Sequence, residues 1–259
     1  MDLSKHVLVI GITMAMGGTE KALLSFLEEL HERDILVSLL LAEHRGPLMG
    51  EIPPYVSLLP PLRNGKLFSL SRRNALGVFA SLRFPGKRSY LVRHRKEIYR
   101  LLRGQSGAGE RFFLSLMNEA IDDFSKEYPD HTYDAALAFA GDRTMFYLCD
   151  KIDSPKKLAW LHFDYRYPHR EDAVYAPYFA RCDAVISVSH SCTHLLSERF
   201  PHLKDHFITK LNRLPIRQRK KMIPQLRRNC LSKNRQLKRM QKKLQNRQQK
   251  LLLQRNQWK

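Results

Sequence analysis

The chain reads as an α/β fold with a parallel sheet, and three observations carry that reading. Short apolar runs of strand length alternate with longer amphipathic stretches over the first 210 residues, the pattern of strands joined by crossover helices. The runs Val7–Ile12 and Ile35–Leu41 are apolar almost throughout rather than alternating, as strands buried on both faces are. Several runs end in polar residues, and the carboxyl ends of strands are where open α/β sheets bind ligands.

Val7–Ile12 is the first expected strand. The loop 13–19 follows, and then Leu23, Leu24, Phe26, Leu27 and Leu30 recur at helical spacing with Glu28, Glu29 and Glu32 opposite, up to about Arg33. Ile35–Leu41 is a second strand. Val56–Leu59 is a third, bounded by Pro53-Pro54 and Pro60-Pro61, which cannot continue a ladder. Phe112–Phe124 has helical periodicity, 134–140 is strand-like, and Thr144–Lys151 fits a short helix. Leu158–Phe163 and Ala184–Val188 are two more strands around a helix through 173–180, and a last helix at about 192–200 leads to Phe207–Leu211. The expectation is a Rossmann-like parallel sheet with helices on both faces over residues 1–212, followed by a basic helical or disordered tail over 213–259.

Charge partitions sharply. The chain has 259 residues, 45 Lys+Arg and 25 Asp+Glu, a formal charge of +20. Residues 206–259 hold 18 of the basic residues and no acid, so the remainder is nearly balanced. From His206 onward there is also no Ala, Gly or Val. Ala, Asp, Glu, Gly and Val all take codons beginning with guanine, so their joint absence is the signature of a sequence read out of frame. The tail, starting between Asp205 and Arg217, is expected to be a frameshift product; an in-frame gene ending at the same codon would refute this. The structural alternative is a real basic helix, since Ile223, Cys230, Leu237, Leu244 and Leu251 share a heptad position, but the companion position is half polar and makes a poor seam. Either way the tail would bind phosphate-rich polymers through counterion release, without sequence preference. Its only aromatics are Phe207 and Trp258, too few for specific single-stranded nucleic-acid recognition.

No apolar run approaches the ~20 residues of a spanning helix, and the N-terminus lacks the layout of a secretory signal, so a cytoplasmic address is expected. Cys149, Cys182, Cys192 and Cys230 have neither CxxC spacing nor a paired His motif, so neither a metal site nor a disulfide framework is expected and the thiols should be buried or inert. Residues 63–103 carry twelve Lys+Arg against one acid, Glu97. With Leu67, Leu70, Phe79, Leu82, Phe84 and Tyr90 interspersed, the segment would dock on an anionic membrane surface or form a solvated helical face.

Three places could carry chemistry. Gly17-Gly18-Thr19-Glu20 lies between the first strand and first helix, where glycines let backbone approach an anion at a helix N-terminus; the same pair also serves a plain turn. The spacing from Gly11 is G-x5-G-G with no following Lys-Ser/Thr, so neither the dinucleotide fingerprint nor the P-loop is present. His162 and Asp164, in Trp160-Leu161-His162-Phe163-Asp164, close a strand on one side of it by alternation, suited to proton transfer or to bonding a sugar hydroxyl, or to a satisfied structural histidine. Ser187 and Ser189 end the next strand, where hydroxyls bind phosphate or sugar, or cap the helix that follows.

In this order, G-G-T-E, W-L-H-F-D, C-D-A-V-I-S-V-S and the Lys210–Ile216 stretch resemble the N-terminal half of GT-B fold, family-4-type glycosyltransferases over about 210 residues. The resemblance implies an acceptor-side lobe in surface polysaccharide or glycoconjugate synthesis. Gly17 and Gly18 would face the donor phosphates with Thr19 and Glu20 in the same loop, His162 would be the catalytic residue at the acceptor hydroxyl, and Asp164, Ser187, Ser189 and Asn212 would line the cleft. It implies a nucleotide sugar as donor substrate with no separate cofactor, a glycan or lipid-linked acceptor, and a peripheral position at the inner face of the membrane. The family's donor lobe, with its Arg–Lys pair and E-x7-E element, has no counterpart here, and the Asn-Pro-Ile strand exit survives only as Asn212-Arg213-Leu214-Pro215-Ile216. The expectation is therefore a truncated enzyme, inactive alone unless a separate chain supplies the donor lobe. The rival expectation is a non-enzymatic module that docks on membrane or nucleic acid through 63–103 and 206–259.

Overall fold

The computed structural model describes residues 5–71, 74–105, 107–166 and 170–211. The chain divides into units Met1–Arg213 and Leu214–Lys259, and the description concerns the first. Asn212 and the tail from 213 to 259 lie outside the described residues.

The seven strands among the described residues are β1 His6–Gly11, β2 Leu36–Leu41, β3 Ser57–Leu58, β4 Ala135–Ala138, β5 Lys157–Leu161, β6 Ala184–Ser187 and β7 Phe207–Thr209. They form one sheet in the order β3-β2-β1-β4-β5-β6-β7, and every pairing is parallel. The α-helices among the described residues are α1 Gly18–His31, α2 Ala75–Ser81, α3 Lys87–Arg93, α4 Arg95–Leu102, α5 Ala108–Ala120, α6 Phe124–Glu127, α7 Asp142–Lys151, α8 Asp172–Ala180 and α9 His190–Arg199. This is the expected Rossmann-like architecture, with the strand order reversing between β1 and β4.

The unbroken apolar runs are explained by two cores, one on each side of the sheet. Leu8, Ile10, Leu40, Ala136, Ala138, Ala159, Leu161 and Val185 face a large core with Phe113, Met117, Phe146, Tyr175 and Phe179 of α5, α7 and α8. The alanines at the sheet centre let α7 approach closely. Val9, Leu39, Leu41, Leu137, Phe139, Trp160 and Ile186 face the other way, onto Leu23, Leu27 and Leu30 of α1. The inner strands β2, β1, β4, β5 and β6 thus alternate between two apolar layers, so period 2 is present but invisible in hydropathy.

The basic stretch 63–103 corrects one expectation. Leu67, Leu70, Leu82 and Tyr90, read above as membrane-facing, are buried in the large core, and Phe79 and Phe84 pack against it. Short helices bury apolar residues here because α2, α3 and α4 roof the connection between β3 and β4. The exposed apolar side chains of this region are instead Leu76, Leu91, Val92, Tyr99 and Leu102.

The last strand lies at the edge of the sheet beside β6. β7 pairs with β6 through Val185↔Phe207, Ile186↔Ile208 and Ser187↔Thr209. Thr209 Oγ1 lies 2.7 Å from Thr193 Oγ1, and the Lys210 amide donates to the Ser187 carbonyl at 2.9 Å. Among the described residues no helix is long and apolar enough to cross a membrane.

Candidate functional site

Because all strands are parallel, the loops after β1, β2, β4, β5 and β6 emerge at one edge, and the reversal of strand order between β1 and β4 opens a crevice there. Gly17-Gly18, His162, Ser187 and Ser189 all sit on that edge.

The loop after β1 is held in place by the loop after β2. The Glu43 amide donates to the Ile12 carbonyl at 2.9 Å, the Met14 amide to Arg45 at 2.8 Å and the Leu48 amide to Met14 at 3.0 Å. The close approach needs Gly46, whose φ of +122° lies in the region that favours glycine, and a Cβ there would overlap the Met14 carbonyl. Gly17 is the N-cap of α1 in extended conformation, with no side-chain cap. A Cβ on Gly17 would overlap the Glu20 carboxylate, which folds back over the helix N-terminus and complements its dipole. Gly18, the first helical residue, is exposed and has nothing within 4 Å of where a Cβ would stand. The atom in the way at 17 is the end of a flexible carboxylate that can swing aside, and φ there is negative, so the fold makes only a slight steric demand at 17 and none at 18. An anion approaching these amides has to displace the Glu20 carboxylate or use it through a bridging cation or proton.

β5 ends at Leu161, two residues earlier than expected, so strict alternation does not carry through to His162 and Asp164. The His162 imidazole is half-buried, with ring centroids 4.4 Å from Phe139 and 5.5 Å from Trp160. Burial lowers its pKa to about 4, so at neutral pH it is an uncharged donor and acceptor rather than an imidazolium. Such a ring suits hydrogen bonding to a hydroxyl better than accepting a proton near pH 7. Asp164 turns to Arg166, whose Nε lies 2.9 and 3.0 Å from its two oxygens, and hydrogen bonds from Arg166 lower its pKa to about 2.

Ser189 takes the capping role: its hydroxyl accepts from the Cys192 amide at 3.2 Å and caps α9. Ser187 is buried and its hydroxyl donates to the Ser189 carbonyl at 3.3 Å. Both hydroxyls serve the β6–α9 turn in this arrangement.

The structure brings up residues that the motif reading passed over. Gly141, φ +115°, carries the chain from β4 into α7, with the Phe163 ring 3.1 Å from a would-be Cβ. Asp142 follows and accepts from the Tyr175 hydroxyl at 2.9 Å and from the Arg143 amide at 2.8 Å. Arg143 donates to the Phe68 carbonyl at 2.6 Å and stands over the Phe113 ring at 5.3 Å. The buried Arg170 stacks on Phe163 at 3.8 Å, donates to the Asp164 carbonyl at 3.3 Å and lies 3.6 Å from Asp142. Arg170 thereby ties the His162–Asp164 loop to the start of α7. Beyond β2, a cavity of about 500 Å³ is lined by Glu43, His44, Arg45, Asn64, Lys66 and Ser81 among others. His44 Nε2 lies 2.9 Å from the Leu59 carbonyl oxygen. The signal for these residues was the one used for His162, polar residues directly after a strand, applied to Glu43-His44-Arg45 and Asp142-Arg143. Among the described residues no cluster of three or more His, Cys, Asp or Glu is placed to hold a metal. No known family model matches the chain, and no curated protein matches it either.

Proposed function

We propose that residues 5–211 are the acceptor-binding lobe of a nucleotide-sugar-dependent glycosyltransferase acting on a glycan or lipid-linked acceptor. The observation that carries this reading is the crevice edge: a bare Gly18 backbone, a neutral His162 and the polar cavity beyond β2 line up along one side of a sheet whose order reverses between them. Sugars are recognised by such mixed sets, planar rings beside neutral donors and acceptors, with a few charges for a phosphate. The described residues supply no preorganised cradle for a leaving diphosphate, which is the largest source of rate in such transfers. The expected result is that the purified chain binds acceptor without turnover. Titration of the full-length Trp258→Phe chain with short oligosaccharide and polyprenyl-phosphate acceptors, followed by fluorescence of the remaining Trp160, tests the first half. Binding that His44→Ala and Gly18→Ala each weaken supports the reading, whereas affinity unmoved by either variant removes the site. Hydrolysis or transfer of a nucleotide sugar at ordinary enzyme rates by the chain alone would remove the second half.

One observation favours membrane attachment as part of the same reading. Leu91, Val92, Tyr99 and Leu102 stand exposed among Arg88, Arg95, Lys96, Arg100 and Arg103 on α3 and α4 and at the end of α4. Apolar side chains between cations match an anionic bilayer surface, where each basic residue contributes ~1 kcal/mol. Reversing Arg95, Lys96 and Arg100 to Glu is expected to weaken co-sedimentation with phosphatidylglycerol vesicles by roughly a hundredfold or more. Leu91→Ser with Val92→Ser should weaken it without changing charge. If only salt matters and the serine pair is silent, the basic tail rather than this face makes the contact.

A further inference from the structure

Cys149, in the last turn of α7, and Cys182, between α8 and β6, are both buried. Their Sγ atoms lie 3.8 Å apart although the residues are 33 positions apart in sequence. Cys149 Sγ also lies 3.8 Å from the Tyr178 carbonyl oxygen. Two cations stand close by. The Arg181 guanidinium donates to the Cys149 carbonyl and lies 2.6 Å from Asp150, and Lys157 Nζ is 3.4 Å from the same carbonyl. The contact with Cys182 lowers the Cys149 pKa against the opposing effect of burial, with Arg181 and Lys157 adding to the lowering. The same contact and burial raise that of Cys182. With the two Sγ atoms already 3.8 Å apart, one sulfur can act as nucleophile and the other can resolve the oxidised product.

We propose that Cys149 and Cys182 form a peroxide-reactive dithiol, a modification site that closes to a disulfide joining the end of α7 to the turn before β6. The Cys149 thiolate attacks one oxygen of hydrogen peroxide; the O–O bond breaks, hydroxide leaves and is protonated to water, and Cys149 becomes a sulfenic acid. Cys182 sulfur then attacks the Cys149 sulfur; its proton and the sulfenic hydroxyl depart as a second water, and the S–S bond forms. Two thiols are oxidised by two electrons and one peroxide is reduced to two waters. Closing to the ~2.05 Å of a disulfide requires each sulfur to move about 0.9 Å, within reach of side-chain rotation. Peroxide is little larger than water and reaches a buried sulfur that a bulky reagent does not.

The test treats the full chain with limiting hydrogen peroxide, alkylates remaining thiols in denaturant and maps the peptides by mass spectrometry. Expected is a Cys149–Cys182 link, lighter by two hydrogens, forming about tenfold or more faster than any change at Cys192 or Cys230. Cys182→Ala should leave a sulfenic acid at Cys149 that dimedone traps once denaturant exposes it, and Cys149→Ala should leave Cys182 as a free thiol under the same dose. The linked form should also melt higher, because the bond closes a loop through 33 positions. The proposal is overturned if Cys149 and Cys182 remain alkylatable once Cys192 or Cys230 has been oxidised, or if the first link joins another pair.

Discussion

Gly46→Ala should cost at least about 3 kcal/mol of folding free energy, read as a fall in urea midpoint with unchanged m-value and a Tm lower by roughly 6–12 °C. The new methyl group has two independent penalties. At φ +122° an L side chain is strained, and its Cβ would overlap the Met14 carbonyl, a backbone atom that cannot rotate aside. Relief requires breaking the Met14–Arg45 and Leu48–Met14 hydrogen bonds, at 2.8 and 3.0 Å, and so freeing the loop that carries Gly17 and Gly18. Gly18→Ala is the control with the opposite sign. It sits at the first helical position with open space around it, so alanine should be neutral or stabilising by up to about 1 kcal/mol. The pair separates what the fold requires from what it leaves bare. A stable, well-folded Gly46→Ala protein would show that the β1 and β2 loops are not locked together.

The contrast between those glycines shows where sequence reading stops. Strand positions were legible because Leu8–Ile10, Leu39–Leu41 and Leu158–Leu161 are buried on both faces and carry no polar residue to blur the run. Element ends were legible within a few residues where Pro or Gly punctuates, as at Pro53-Pro54. The glycine loop was found because two adjacent glycines stand out. Gly46, Gly141 and Gly65 were not, since a single glycine shows nothing of its φ or of the backbone packed against it. The basic segment was misread for a related reason. Leu67, Leu82 and Tyr90 lie among arginines, and composition alone cannot tell that short helices turn these side chains inward while Leu91, Val92 and Leu102 turn out. Arg143 and Arg170 were invisible because their partners, Phe68 and Phe163 with Asp142, come from other elements. The contact between Cys149 and Cys182 likewise depends on how α7 meets the turn after α8.

Acid should weaken the fold through His162, and the sign follows from its environment. Wedged against Phe139 and Trp160, the imidazole has a folded pKa of about 4, below the ~6.5 of an unfolded histidine. As pH falls the unfolded chain takes up this proton first, so stability is fully present above about pH 6.5, declines through the window down to about 4, and then levels off. A displacement of this size corresponds to at most about 3 kcal/mol. His6 also has a pKa lowered by burial and adds an effect of the same sign, so the measurement is a difference. Urea unfolding of the parent chain and His162→Gln at pH 7, 5.5 and 4 should show the gap in stability between them shrinking toward acid, because the amide has no proton to gain. Parallel pH profiles would mean that the ring is solvated, and the argument for a neutral hydroxyl-binding imidazole at the crevice would fail with it. The same burial that makes His162 an acid-sensitive weak point keeps it uncharged at pH 7, the state in which an imidazole has one nitrogen that accepts a hydrogen bond and one that donates.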